Sequence, residues 1–318
     1  MLDERPEKDT MRDLWAARVG EILEQDPGAE EEPLYLSLCG AKGLDIVKLA
    51  EHGIIARTET GAIAQKDLGK LYAIESDESA ALVLKDEFFG LDVIGNSLEN
   101  ILQMPSDLAW PSKKLRKILR SRVVNLDLNC SLAVELKQKQ LHFPVVKMVE
   151  KFSRIHAEAP HVNWTLCLTL HADLSLDPGA FDQIAVFLAE NFSKEADYAG
   201  ASCALLGEDL YGLLSEGSCE DGTASELEPE EVQALLMALI PKRIISDTHR
   251  HGWKVSTRRN IRYGSGLDVA PMVSWILDFE WDPRGSSAPA TLYSESLKTA
   301  IAGIEEIDQS GQLVAIAA

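Results

Sequence analysis

Five times between Leu34 and Asn191, a short apolar run ends in a polar or glycine residue and gives way to a stretch of helical periodicity. Strands separated by helices, rather than by tight turns, can pair side by side only in parallel. The pattern therefore restricts the chain to an open α/β sheet with helices on both faces. The first unit is Leu34 to Leu38, whose alternating leucines suit a buried strand, followed by Gly40 and Gly43. Ile46, Val47, Leu49 and Ala50 then continue as a helix face. Leu71–Ile74 ends at Glu75-Ser76-Asp77, Leu91–Ile94 at Gly95-Asn96-Ser97, Val123–Asp127 at Leu128-Asn129-Cys130, and Trp164–Leu170 at His171.

The flanking segments follow a different pattern. Met11, Leu14, Trp15, Val19, Ile22 and Leu23 recur at helical spacing, and Pro27-Gly28 and an acidic linker follow them. Residues 131–157 read as one or two helices interrupted near Pro144. From about 195 to 240 the chain turns glycine-rich and acidic, with a helix near Pro229–Leu239, and this stretch is expected to be a loop-rich cap or insertion. Trp253–Tyr263 and Met272–Trp281 read as strands, and their connection is too short for a crossover helix, so they should pair antiparallel. A helix is expected over 290–307. The domain reading is thus an N-terminal helix and linker over 1–33 and one α/β domain over 34–318.

No apolar run approaches the roughly 20 residues that span a bilayer, and the N-terminus lacks a signal-peptide core, so a cytoplasmic protein without membrane contact is expected. The five cysteines, at 39, 130, 167, 203 and 219, are widely spaced and suggest neither a disulfide framework nor a zinc site. A net charge of −20 argues against general affinity for nucleic acid, but the charge is uneven. Residues 208–231 hold nine acids and no Lys or Arg, a surface suited to a protein partner. Residues 113–122 hold six Lys or Arg and no acid, and 242–263 hold seven against Asp247. Either basic segment could form a nucleic-acid track. The second adds His249, His251, Trp253 and Tyr263, able to stack on bases. The competing readings are a solvated helix for 113–122 and, for 242–263, a strand paired with the acidic 208–231 stretch.

In an open α/β sheet, ligands bind outside the carboxyl ends of the strands, so Gly40, Glu75, Asn96 and Asp127 should open onto one edge. Amides at the helix start after Gly43 would face a ligand there. A carboxylate such as Glu75 can accept hydrogen bonds from two ribose hydroxyls. This layout, five parallel strands closed by an antiparallel pair, resembles the class I, Rossmann-like methyltransferases that use S-adenosylmethionine. The resemblance spans Leu34 to Trp281. It implies that Leu38, Cys39, Gly40 and Gly43 hold the methionine part of the cofactor, that Glu75 and Ser76 hold the ribose, and that Asn96 and Ser97 contact adenine. Asn125, Asp127 and Asn129 would lie at the fourth strand, with Asp127 or Asn129 beside the transferred methyl. It further implies methyl transfer to nucleic acid or a nucleotide-containing substrate.

The family's first motif, an acid followed by three close glycines, is incomplete, because Ser37 stands where the acid is expected and only Gly40 and Gly43 remain. The fourth strand lacks the paired prolines of the amino-methylating subgroup. An interaction subunit with a methyltransferase-like fold and an impaired site is therefore the alternative. A nicotinamide-dependent oxidoreductase fits less well, since its glycine signature is absent and Glu75 lies 32 positions after Gly43 where roughly 20 is expected. Local capping of helices competes for Glu75, Asn125, Asp127 and Asn129. Cys130 and Cys167 as nucleophiles, and His171 as a general base, compete with packing and edge roles.

Overall fold

The computed structural model describes residues 5–26, 28, 33–103, 113–128, 134–135, 141–142, 144–172, 178–217, 227–264, 271–282, 284, 301 and 303–316. In chain order, α1 (Pro6–Gln25) precedes β1 (Tyr35–Ser37), α2 (Leu44–Glu51), β2 (Leu71–Ile74), α3 (Glu78–Glu87), β3 (Asp92–Ile94), α4 (Leu98–Gln103), α5 (Lys113–Leu119) and β4 (Val123–Asp127). A two-stranded hairpin, β5 (Val134–Glu135) and β6 (Leu141–His142), leads to α6 (Pro144–His156) and β7 (Trp164–His171). Then come α7 (Pro178–Lys194), α8 (Ala196–Ser215), α9 (Pro229–His249), β8 (Trp253–Tyr263), β9 (Met272–Trp281), β10 (Ile304–Ile307) and β11 (Leu313–Ala315).

The fold is a Rossmann-like α/β sheet of nine strands in the order β11-β10-β8-β9-β7-β4-β1-β2-β3. From β3 to β7 every pairing is parallel. β9 lies antiparallel between β7 and β8, as the short connection after Tyr263 requires. The strand order reverses at β1, which has β2 on one side and β4 on the other. That reversal opens a crevice at the carboxyl edge, because the crossovers leave β1 and β4 on opposite faces.

One core lies on each face. Met11, Trp15, Val19 and Ile22 of α1 pack with Tyr35, Ile46, Leu84 and Phe88, which puts α1, α2 and α3 on one side. Leu36, Leu126, Phe152, Leu235 and Trp275 belong to the opposite core, with α4 to α9. The alternation along β4 assigns its side chains: Val124 and Leu126 join the second core, so Asn125 and Asp127 face α1.

Three expectations fail. Residues 196–215 form a helix, kinked at Gly207, where glycine-rich loops were expected. Tyr198, Leu206, Leu210 and Leu214 recur at helical spacing and are buried against α7 and α9, and that stripe outweighs the low helix propensity of the glycines. Of the helix expected over 290–307, residues 290–300 and 302 lie outside the described residues, and its end is corrected, because Ile304–Ile307 is strand β10, parallel to β8, and β11 returns antiparallel beside it. Residues 131–157 hold the β5–β6 hairpin before the helix, and Pro144 begins α6 instead of interrupting it.

Candidate functional site

The strand ends meet where the sequence places them. Ser37 is level with Ala73 and Asn125, and Ile74 with Ile94, so Leu38, Glu75, Asn96 and Asp127 leave the sheet on one edge. Leu38 N–H donates to the Asn125 carbonyl at 3.2 Å and Glu75 N–H to that of Ile94 at 3.1 Å. These bonds carry the pairing one residue past the strands.

The two glycines have different neighbours. Both adopt positive φ, +58° at Gly40 and +52° at Gly43. A Cβ on Gly43 would lie 2.5 Å from Phe88 Cε2, so this glycine lets α2 start against α3. A Cβ on Gly40 would meet nothing within 4 Å, which leaves its backbone open to a ligand. Cys39 lies between β1 and Gly40. Burial pushes its thiol well above the usual range, and the charges of Asp45 and Glu75 push it further, so it stays protonated.

Glu75 is half-buried, and its Oε1 accepts from Asp77 N–H at 2.8 Å. Ser76 is exposed beside it. Asp77 is the N-cap of α3, accepting from Ala80 N–H at 2.8 Å, so Glu75 lies two residues before the helix and meets its start only through the Asp77 N–H. Asn96 Oδ1 accepts from Ser97 N–H at 2.9 Å and from Asn100 Nδ2 at 3.3 Å, and Ser97 Oγ accepts from Asn100 N–H at 3.1 Å. Both are therefore engaged with the start of α4.

Asn125 is not at the open edge. It is 1% exposed, and its Nδ2 donates to the Tyr35 hydroxyl at 2.8 Å. Tyr35 reaches Asp45 Oδ2 at 3.3 Å, and Ser37 Oγ donates to the same oxygen. A carboxylate thus stands beside Ser37 after all, supplied by the first turn of α2 and not by the strand. Burial pushes the Asp45 carboxyl up, against the pull of Ser37, Arg12 and two backbone amides. Asp45 Oδ1 and Asn125 Oδ1 are buried without a hydrogen-bond partner.

Asp127 carries a partner that no local pattern signals. Lys8, from the first turn of α1, places its Nζ 2.8 Å from Asp127 Oδ2 across 119 residues of sequence. Tyr263, at the end of β8, is buried on the same side, and its hydroxyl is pushed up by burial and then by the Asp127 charge. Asn129 and Cys130 lie outside the described residues. Cys167 is buried in the sheet, where desolvation holds the thiol neutral, so it packs and does not attack. His171 ends β7 in register with Met272.

A cavity of about 220 Å³ lies at the opposite edge, before β4 and β7. Arg18, Asp26, Arg122, Trp164, Arg258 and Asp278 line it. It is the seam between α1 and the sheet, closed by the Arg18–Asp278 and Arg122–Asp26 pairs, and it is remote from the strand-end residues.

Most of the basic side chains are engaged within the chain. In 113–122, Lys114 pairs with Asp92, Arg116 with Glu158 and Arg122 with Asp26, and Arg120 donates to the Pro160 carbonyl. In 242–263, Lys242, Arg243, Arg250, Arg258, Arg259 and Arg262 pair with Glu195, Asp247, Glu150, Asp278, Glu305 and Glu306. Among the described residues, the acids that pair with Arg258, Arg259 and Arg262 of β8 are Asp278, Glu305 and Glu306, none of which lies in 208–231. Among the described residues no helix is long and apolar enough to cross a membrane.

Compared with known proteins, the sequence matches no family model and no curated protein.

Proposed function

We propose that the protein is an S-adenosylmethionine-dependent methyltransferase acting on nucleic acid or another nucleotide-containing substrate. The observation that carries this reading is the convergence of Gly40, Glu75, Asn96 and Asp127 on one strand edge at the β1/β4 reversal. Antiparallel β9, seated between β7 and β8, matches the layout of that class. The residues fit the cofactor. Gly40 leaves its backbone open, Glu75 offers a carboxylate for ribose hydroxyls, and Asn96 and Ser97 stand two strands from β1 for the base.

When bound, the cofactor supplies an electrophilic methyl on a sulfonium sulfur. The chain's part is to hold and orient: Asp127 accepts a hydrogen bond from the acceptor N–H or O–H and turns its lone pair towards the methyl. Calorimetric titration with S-adenosylmethionine tests the reading, together with Glu75→Ala. The variant should fold as wild type and bind more weakly by about 1.5 to 3 kcal/mol, the range for a hydrogen bond to a charged group. Equal affinity in the folded variant removes Glu75 from the site.

The second reading, a methyltransferase-like interaction subunit with an impaired site, is favoured by the engagement of Asp127 with Lys8. Absence of cofactor binding by wild type selects it.

A further inference from the structure

Lys8 is 8% exposed, a costly place for an ammonium group. Docking of α1 does not explain it. Met11, Trp15, Val19 and Ile22 are each at most 7% exposed, and Arg18 further along the helix pairs with Asp278, so α1 is held down without a cation at position 8. Nor is Lys8 isolated. Arg12, one turn on, is 6% exposed, and Arg5 and Arg12 both favour ionised Tyr263, the group that the Asp127 charge disfavours. Arg12 also acts on Asp45, which burial drives towards its neutral form. The start of α1 and its N-cap thus bring Arg5, Lys8 and Arg12 to bear on groups at or beneath this edge.

We infer that Lys8 is a specificity-determining residue, which neutralises Asp127 so that the fourth-strand end of the crevice, where the acceptor would lie, presents no uncompensated carboxylate to it. The inference rests on the methyltransferase reading. A bare Asp127 attracts a protonated amine and repels a phosphate-bearing acceptor. With Lys8 seated on Oδ2, the acceptor that suits the site is a neutral N–H or O–H on an anionic molecule, as on a nucleotide, and not an ammonium group.

The test needs no knowledge of the acceptor. S-adenosylmethionine and S-adenosylhomocysteine differ by one methyl and the sulfonium charge, so the ratio of their affinities reads the field beside Asp127. Both are titrated calorimetrically into wild type, Lys8→Met, Lys8→Arg and the double variant Lys8→Met/Asp127→Asn, with melting temperatures alongside. Lys8→Met should tilt the ratio towards S-adenosylmethionine by about tenfold, the size expected of one unit charge several ångströms away in a partly solvated site. Lys8→Arg and the double variant should keep the wild-type ratio, because each leaves the pair neutral. An unchanged ratio in a folded Lys8→Met variant that binds both ligands overturns the charge role alone. So does loss of both ligands in Lys8→Met and Lys8→Arg alike, which makes Lys8 a support of the pocket wall by its shape and not by its charge. If wild type binds neither ligand, the methyltransferase reading falls first and the inference with it.

Discussion

Gly40 and Gly43 share a left-handed backbone, yet a methyl group added to each meets different surroundings. Gly43→Ala combines an unfavourable φ with overlap on the Phe88 ring, and should cost about 2 to 4 kcal/mol in urea denaturation. Gly40→Ala has no overlap and should cost about 1 to 2 kcal/mol, the backbone term alone, while weakening cofactor binding. Equal costs at both positions would show that α2 does not pack on Phe88 as placed.

His156 makes a second prediction on the scale of one side chain. Its Nδ1 lies 2.9 Å from the Phe152 carbonyl and its Nε2 3.1 Å from that of Ser121, with the ring stacked on Trp164. Burial outweighs both carbonyls and lowers the pKa to about 4. A folded-state value below the unfolded one means that the unfolded chain takes up the proton first. The stability is fully present above about pH 6.5 and falls as pH drops towards 4. Between pH 7 and pH 5 the loss should be about 2 kcal/mol, and His156→Phe should flatten the urea midpoint over that window. An unaltered pH dependence in the variant assigns the loss to other groups, of which His251, also lowered by burial, is the nearest in kind.

At the scale of elements, α1 is joined to the sheet by charge as well as by apolar packing. Asp278 on β9 accepts from Arg18 Nη2 at 3.0 Å, from Thr165 Oγ1 at 2.7 Å and from Arg258 Nε. The Arg18 and Asp278 side chains are each 8% exposed. Removing one partner leaves a buried charge uncompensated, so Asp278→Ala should destabilise by about 3 to 5 kcal/mol. Arg18→Met/Asp278→Leu should recover much of that loss, because replacing both partners removes the stranded ion. Denaturant midpoints of the single and double variants check this, and equal losses in both would show that packing, not charge, governs the seam.

The same contacts mark what the sequence made legible. The strands from β1 to β4, β7 and the β8–β9 pair were readable because each is a short apolar run ended by polar or glycine residues, a signal contained in a few neighbours. Lys8 on Asp127 and Arg18 on Asp278 were not, since each joins residues more than a hundred positions apart and no local period encodes that. Asp45 escaped for a related reason. The acid expected at Ser37 arrives eight residues later, from the first turn of α2, and only folding brings the two side chains together. The helix over 196–215 was hidden by its own composition, because Gly200, Gly207 and Gly212 read as loop while the buried stripe of Tyr198, Leu206, Leu210 and Leu214 is diluted among them.

For the whole molecule, 51 acids against 31 Lys and Arg give a background that repels polyanions, so nucleic-acid binding must come from cations left exposed in particular places. Arg258, Arg259 and Arg262 were natural choices from sequence, and each is instead ion-paired, with Asp278, Glu305 and Glu306. Lys113 and Lys117 are exposed on α5. If they touch phosphates, binding to tRNA should weaken with salt at a log–log slope of about −2 or shallower, at roughly 0.7 to 0.9 per neutralised phosphate. Lys113→Ala/Lys117→Ala should abolish that slope with little effect on melting. The triple substitution Arg258→Ala/Arg259→Ala/Arg262→Ala should do the reverse, lowering the melting temperature through Asp278 and the β8–β10 seam while leaving the slope in place. Filter binding to tRNA and duplex DNA over a salt series, with melting curves of the same variants, separates these outcomes. A wild-type slope steeper than about −2 that falls in the triple variant would show that the arginines leave their carboxylates for phosphate, and would return the nucleic-acid track to β8. Wild type with no retention at low salt would remove nucleic acid as substrate and leave a small nucleotide-containing acceptor in its place.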